Sequence, residues 1–173
     1  MITIYTEEST TISQKSYDDI IAAVNIRELK CICGKCGCLI RHGSYKRTIK
    51  VPGGELLLRV SRVKCSDCGC THALFISSII PYSQICLKDQ TLIINCFEDK
   101  SGYDEIFKSN QSFDENDVRS VILRYRRYWR EYVLSSGISL FPLKSLVKSC
   151  FTIFRKQFMQ IKDTKNVLYL FPT

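Results

Sequence analysis

Of the ten cysteines in this 173-residue chain, four are spaced for metal chemistry: Cys33-Gly-Lys-Cys36-Gly and Cys65-Ser-Asp-Cys68-Gly. A Cys-x-x-Cys-Gly unit is a tight turn, because the glycine lets the backbone bend until its amides face the sulfurs. Two such turns offer four thiolates, which close a tetrahedral shell around a borderline-soft cation such as Zn²⁺. A closed shell leaves no position for water or substrate, so the expected role is structural. The expected ligands are Cys33, Cys36, Cys65 and Cys68. Cys31, Cys38 and Cys70 flank the turns, so any of them could replace one of the four, and disulfides are the competing arrangement; the doubled spacing favours metal. Cys86, Cys96 and Cys150 stand singly in apolar surroundings, where a free cysteine behaves as a small buried hydrophobe.

Other chemistries find no support in the residue pattern. The chain has no glycine-rich phosphate loop, no Ser-His-Asp set and no His-Glu-x-x-His motif. DNA cleavage by two Mg²⁺ ions needs a carboxylate triad on an RNase-H-like sheet. Here Asp89, Glu98, Asp99, Asp104 and Glu105 fall on predicted helices, and Asp114, Glu115 and Asp117 cluster at a helix start. The expectation is a protein without catalytic activity of its own.

Composition narrows the class further. A hydrophobic fraction of 45% and a charged fraction of 24% describe a globular chain. The formal net charge is +8 and the pI about 9.0, which favours a polyanionic partner, with nucleic acid the first candidate and double-stranded DNA the partner expected. The N-terminal residues lack the basic start and apolar run of a signal peptide, and no stretch is long enough to span a membrane. A reducing cytoplasm with metal-held thiolates is the consistent location.

The elements that must position the cysteines can be read around them. Between Cys36 and Cys65 lie 28 residues, which a β-hairpin fills: one strand from Leu39, a turn at Gly53-Gly54, and a returning strand into Cys65. Arg41, Lys46, Arg47, Arg59, Arg62 and Lys64 make this hairpin basic, and they are the candidate phosphate contacts. The competing account is a solvated strand edge protected by charge. His42 is a lone histidine beside two complete cysteine pairs and is assigned to solvent or backbone. Before the hooks, residues 2–5 read as a strand and the stretch after Ser16 as a short helix. After them, the apolar run through Leu74, Phe75, Ile79 and Ile80 is expected in the core.

From Leu87 the periodicity turns helical, with Leu92, Ile93, Cys96 and Phe97 on one side. A short helix over 103–108 and a turn at Ser109-Asn-Gln-Ser come next. Ser112-Phe-Asp-Glu115 then reads as a capping box opening a long helix to about Leu134. Short helix, turn and capped helix is a helix-turn-helix arrangement. Asn116, Arg119 and Ser120 are placed to reach base edges, and Arg124, Arg126, Arg127 and Arg130, interleaved with aromatics, to hold phosphates. Val118, Val121, Ile122, Tyr125 and Trp129 form the buried stripe. A last amphipathic helix from about Leu143 completes the core or makes a homodimer seam, and the apolar tail from Val167 is expected to dock.

The fold class expected is therefore α+β, a small β-hairpin zinc ribbon followed by an all-α helix-turn-helix region. The divisions are 1–30, an N-terminal strand and helix; 31–82, the ribbon; 83–137, the helix-turn-helix; and 138–173, a C-terminal helix and tail.

Arg41-His-Gly-Ser-Tyr-Lys-Arg, then Val60-Ser-Arg-Val-Lys-Cys-Ser-Asp-Cys-Gly, then the apolar stretch to Ile80-Pro-Tyr-Ser resemble the uncharacterised zinc-ribbon proteins associated with bacterial insertion sequences and transposases. The end of the chain, with Phe158-Met-Gln-Ile-Lys, Asn166-Val-Leu-Tyr and Pro172-Thr, is similar to that group as well. The resemblance implies metal hooks at Cys33, Cys36, Cys65 and Cys68, a helix-turn-helix after the ribbon, recognition of mobile DNA, a transposase or other protein as further partner, and a bacterial, nucleoid-associated setting. The chain departs from the group at Cys70 and His72. Two functions are carried forward: a zinc-stabilised DNA-binding accessory or regulator, and a protein-interaction adaptor using the ribbon and the aromatic C-terminal helix.

Overall fold

The computed structural model describes residues 1–6, 11–162 and 165–170. The chain divides into two compact units, and neither is a contiguous segment. One comprises Met1–Arg47, Leu57–Ser77 and Thr164–Thr173; the other comprises Thr48–Leu56 and Ser78–Asp163.

The first unit is built on a sheet. Its strands are β1 (Ile2–Ile4), β2 (Leu39–Val51), β3 (Gly54–Cys65), β4 (Thr71–Ile76) and β5 (Val167–Tyr169), with the tips of β2 and β3 counted in the second unit. Among the described residues they form one five-stranded mixed sheet in the order β2-β3-β4-β1-β5. β4 runs antiparallel to β3 with Val63 opposite His72, and β1 lies parallel to both β4 and β5, Ile2 facing Leu74 on one side and Val167 on the other. Ile2, Thr3 and Ile4 are fully buried, as a central parallel strand covered on both faces requires.

This corrects the expected fold class. The chain is α+β, but its strands are not a hairpin that precedes an all-α region: both ends of the chain join the same sheet as the hairpin. The physical reason is that an isolated hairpin leaves one edge of β3 unpaired. The run after the second hook, expected only as core, supplies β4 to that edge, and β1 and then β5 extend it. Leu74, Phe75, Ile79 and Ile80 are buried as expected. The tail docks as β5 through Tyr169, while the expectation for residues 171–173 lies outside the described residues.

Helix α1 (Gln14–Ala23) covers part of the sheet. It starts ahead of the position expected, because Ser13 and Ser16 cap each other reciprocally: the Ser16 N–H donates to Ser13 Oγ and the Ser13 N–H to Ser16 Oγ, each at 3.0 Å. Tyr17 is fully buried, its hydroxyl donating to the Leu74 carbonyl at 2.8 Å and accepting from the Ser61 N–H at 2.9 Å. A phenol buried this way bridges α1, β3 and β4, and burial pushes its pKa up to about 12.

The second unit is helical: α2 (Leu87–Glu98), α3 (Asp104–Ser109), α4 (Glu115–Tyr128), α5 (Arg130–Ser135) and α6 (Leu143–Phe154). In α2 the buried apolar side centres on Leu87, Ile93 and Ile94, leaving Leu92, Cys96 and Phe97 half-buried. The cap of α4 is Asp114, not Ser112. The Ser112 hydroxyl is spent on the buried Asn110 side chain at 2.6 Å, while Asp114 and Asp117 accept each other's amides at 2.9 and 3.0 Å. The long helix expected to about Leu134 breaks at Trp129, whose φ of −131° is not helical. Its indole is buried between Phe154 and Phe158, with ring centroids at 5.8 and 5.4 Å in edge-to-face contact. Val118, Val121, Tyr125 and Trp129 are buried, as are Leu146, Val147, Cys150 and Phe151 of α6, whereas Ile122, expected in the same stripe, is half-buried.

Candidate metal centre and basic surfaces

A thiol cluster sits where the loop before β2 meets the turn between β3 and β4. The Sγ atoms of Cys31, Cys33, Cys65 and Cys68 all lie within 4.8 Å of one another. Cys31 and Cys68 are separated by 3.6 Å, and Cys33 and Cys65 by 3.9 Å. A tetrahedral tetrathiolate centre with metal–sulfur bonds of about 2.3 Å has sulfurs about 3.8 Å apart. The two separations bracket that value, so this set can hold a metal ion.

Three of the expected ligands, Cys33, Cys65 and Cys68, belong to the group; the fourth is Cys31, and Cys36 stands outside it. Backbone pairing explains the exchange. Lys30 and Cys36 face each other in an antiparallel bridge, so their side chains leave on the same side, and both are exposed. The next residue, Cys31, turns the opposite way and is 1% exposed. Its N–H donates to the Lys35 carbonyl and its carbonyl accepts from the Gly34 N–H, each at 2.9 Å, which folds Cys33 back toward it. Gly34 adopts a φ of +92°, a conformation available to glycine at little cost.

The second turn is tied to the first. The Ser66 N–H and hydroxyl both donate to the Cys38 carbonyl, at 2.8 and 3.1 Å, and Lys35 pairs with Asp67 at 2.9 Å across the surface. The Cys68 N–H points at Cys65 Sγ at 3.5 Å. Backbone amides, that of Cys68 first, lower the Cys65 thiol pKa to about 6, favouring the thiolate a metal needs. Burial pushes the Cys31 thiol the other way, up to about 12. Buried His72 of β4 places Nε2 3.2 Å from Cys31 Sγ. Cys38 is buried with its thiol donating to the Lys35 carbonyl, and Cys70 is half-buried outside the group.

The residues proposed for nucleic acid divide by environment. On the hairpin, Arg41, Lys46 and Arg59 are exposed. Arg47 lies over the Phe75 ring at 5.0 Å, Lys64 is half-buried, and Arg62 has its Nε buried without a hydrogen-bond partner. On α4, Asn116, Arg119, Ser120, Arg126 and Arg127 are exposed. Arg130 is held by Glu98 through two bonds of 2.7 and 3.0 Å, which lower the carboxyl pKa. Arg124 turns inward, donating to Ser83 Oγ and Gln90 Oε1, each at 3.3 Å.

Sequence reasoning kept Cys31 as one of three alternatives to the assigned ligands without choosing it, and missed His72 behind it. The Cys-x-Cys spacing at 31–33 was the available signal for the first; for the second there was none, since its role depends on β4 joining the sheet. Comparison with protein-family models, with curated proteins and with solved structures finds no match to this chain.

Proposed function

We propose that the protein is a zinc-stabilised DNA-binding protein without catalytic activity, acting as an accessory or regulator of mobile DNA. The observation that carries the metal half is the tetrathiolate spacing of Cys31, Cys33, Cys65 and Cys68. Zn²⁺ suits four thiolates at tetrahedral separations, and four protein ligands leave it no open site, so its part is to hold the two turns at the base of the hairpin. The DNA half is supported by the excess of basic residues and by where they are free to act: Arg41, Lys46 and Arg59 on the hairpin, and Arg119, Arg126 and Arg127 on α4, are all exposed. Helix α3, residues 110–114 and capped α4 have the order of a helix-turn-helix, with Asn116, Arg119 and Ser120 exposed in the first turns of the second helix. Among the described residues no helix is long and apolar enough to cross a membrane.

The adaptor reading, which uses the ribbon and the aromatic side of α6, draws less support on α6, where Leu146, Val147, Cys150 and Phe151 are buried and Phe154 packs on Trp129 and Tyr132.

Charge reversal tests the DNA reading on each unit separately. Arg41→Glu with Lys46→Glu, and Arg126→Glu with Arg127→Glu, should each weaken binding to duplex DNA at least tenfold at moderate salt, with the circular dichroism spectrum unchanged. Unchanged affinity in both pairs would remove the proposal.

A further inference from the structure

Arg124 carries a charge into a half-buried setting where, among the described residues, it meets no counter-ion of its own. Its half-buried guanidinium meets two neutral acceptors, Ser83 Oγ and Gln90 Oε1, and its Nε is buried with no hydrogen-bond partner among the described residues. Among the described residues no carboxylate pairs with it, and burial alone depresses its pKa. Removing a guanidinium from water without an anion costs free energy that a hydroxyl and an amide recover only in part.

The same side chain lines an open pocket of about 270 Å³ on the surface of the helical unit, with Tyr82, Ser83, Ser120 and Asp117 among the other walls. The carboxylate in that wall is already committed: Asp117 Oδ2 receives the Lys50 ammonium at 2.6 Å and the Asp114 N–H at 3.0 Å. Neutralised in this way, it leaves the Arg124 charge uncompensated. A further cation stands nearby, since Lys162 Nζ lies 4.9 Å from the centroid of the Tyr82 ring. The pocket thus combines a half-buried guanidinium, the exposed Ser120 hydroxyl and a surplus of positive charge.

We infer that this pocket is an oxyanion site for a phosphate group, with Arg124 as its cation and the exposed Ser120 as a hydroxyl donor. A guanidinium offers a planar fork of N–H donors, and its hydrogen bonds to phosphate are among the strong charge-assisted ones. The volume exceeds what one inorganic phosphate fills, so the group can be free phosphate, a small phosphomonoester or a phosphate of a nucleic-acid strand. The inference does not depend on the hairpin or on Arg126 and Arg127 contacting DNA.

The test is calorimetric titration of the full-length, metal-loaded protein with inorganic phosphate at fixed ionic strength, and, in a second arm, with a short 5′-phosphorylated single strand against the same strand lacking that phosphate. Arg124→Gln removes the cation. Ser120→Glu places a carboxylate into the pocket from an exposed position, so it tests the site even where Arg124→Gln lowers stability. Saturable binding of inorganic phosphate, weakened tenfold or more in both variants, establishes a site for free phosphate. Binding of only the 5′-phosphorylated strand, lost in the same variants, assigns the phosphate to nucleic acid. Absence of saturable binding in both arms, or binding unchanged by Ser120→Glu, overturns the inference.

Discussion

Nε2 of His72 and Sγ of Cys31 lie 3.2 Å apart, joining a buried histidine of β4 to the thiol cluster at the end of β3. Burial holds the His72 pKa down to about 4, so at neutral pH the ring is uncharged and one nitrogen carries a proton. With that proton on Nε2, the ring donates to the Cys31 thiolate once a metal has taken the thiol proton. Such outer partners fix the orientation of a ligand, and their loss commonly costs about 10–100-fold in metal affinity. His72→Ala should therefore bind zinc more weakly by about that factor in a chelator competition, while His42→Ala, exposed on β2, should not. Equal affinities would reduce His72 to a space-filling residue.

Cysteine substitutions separate the two ligand sets. Cys31→Ser should lose the metal and loosen the first unit, and Cys36→Ser should keep both metal and fold. Metal content by mass spectrometry, together with the charge-transfer band of a Co²⁺-substituted sample, reports the outcome. Retention of metal by Cys31→Ser and its loss by Cys36→Ser would restore the spacing-based assignment.

Tyr17 sets an alkaline limit. Its phenol titrates near 10 when unfolded and about 12 when folded. The folded state then holds a proton that the unfolded state gives up, so stability is fully present below pH 10 and falls as pH rises toward 12. The difference corresponds to about 2–3 kcal/mol. Tyr17→Phe should lower stability at neutral pH by about 1–2 kcal/mol, since it removes the bonds to Leu74 and Ser61, and should flatten the decline above pH 10. Tyr125, also pushed up to about 12, adds a similar decline in the second unit, so urea midpoints are compared between wild type and Tyr17→Phe.

Lys50 and Asp117 form the most enclosed ion pair among those described, with side chains 12% and 19% exposed. Lys50→Met leaves the Asp117 carboxylate with only the Asp114 amide, and should destabilise the helical unit by about 1–3 kcal/mol. Thermal unfolding measures it, and the surface pair Lys35–Asp67, at 65% and 40% exposed, serves as the comparison expected to change little.

The hairpin was legible because glycines, alternation and cysteine turns mark it locally, and the stripe Val118, Val121, Tyr125 and Trp129 because helical periodicity does. Strand β4 was hidden because its apolar end, Leu74, Phe75 and Ile76, is buried without alternation and so carries no period. Strands β1 and β5 are three residues each; residues 2–5 read as a strand, but the pairing of β1 with β4 on one side and β5 on the other is a long-range fact. At the metal centre the choice of Cys31 over Cys36 follows from the bridge at Lys30, which no spacing rule contains. On α4 the arginines looked alike in sequence, but Arg124 and Arg130 have internal partners while Arg126 and Arg127 remain exposed.

Binding of the zinc-loaded protein to labelled duplex DNA across a salt series tests the central claim most directly. Contacts from exposed arginines and lysines to phosphates release counterions, so the logarithm of the affinity should fall linearly with the logarithm of salt, with a slope near −0.9 for each phosphate neutralised. Both charge-reversal pairs should make that slope shallower. Absence of binding at low salt, or an affinity indifferent to salt, would contradict a DNA-binding function.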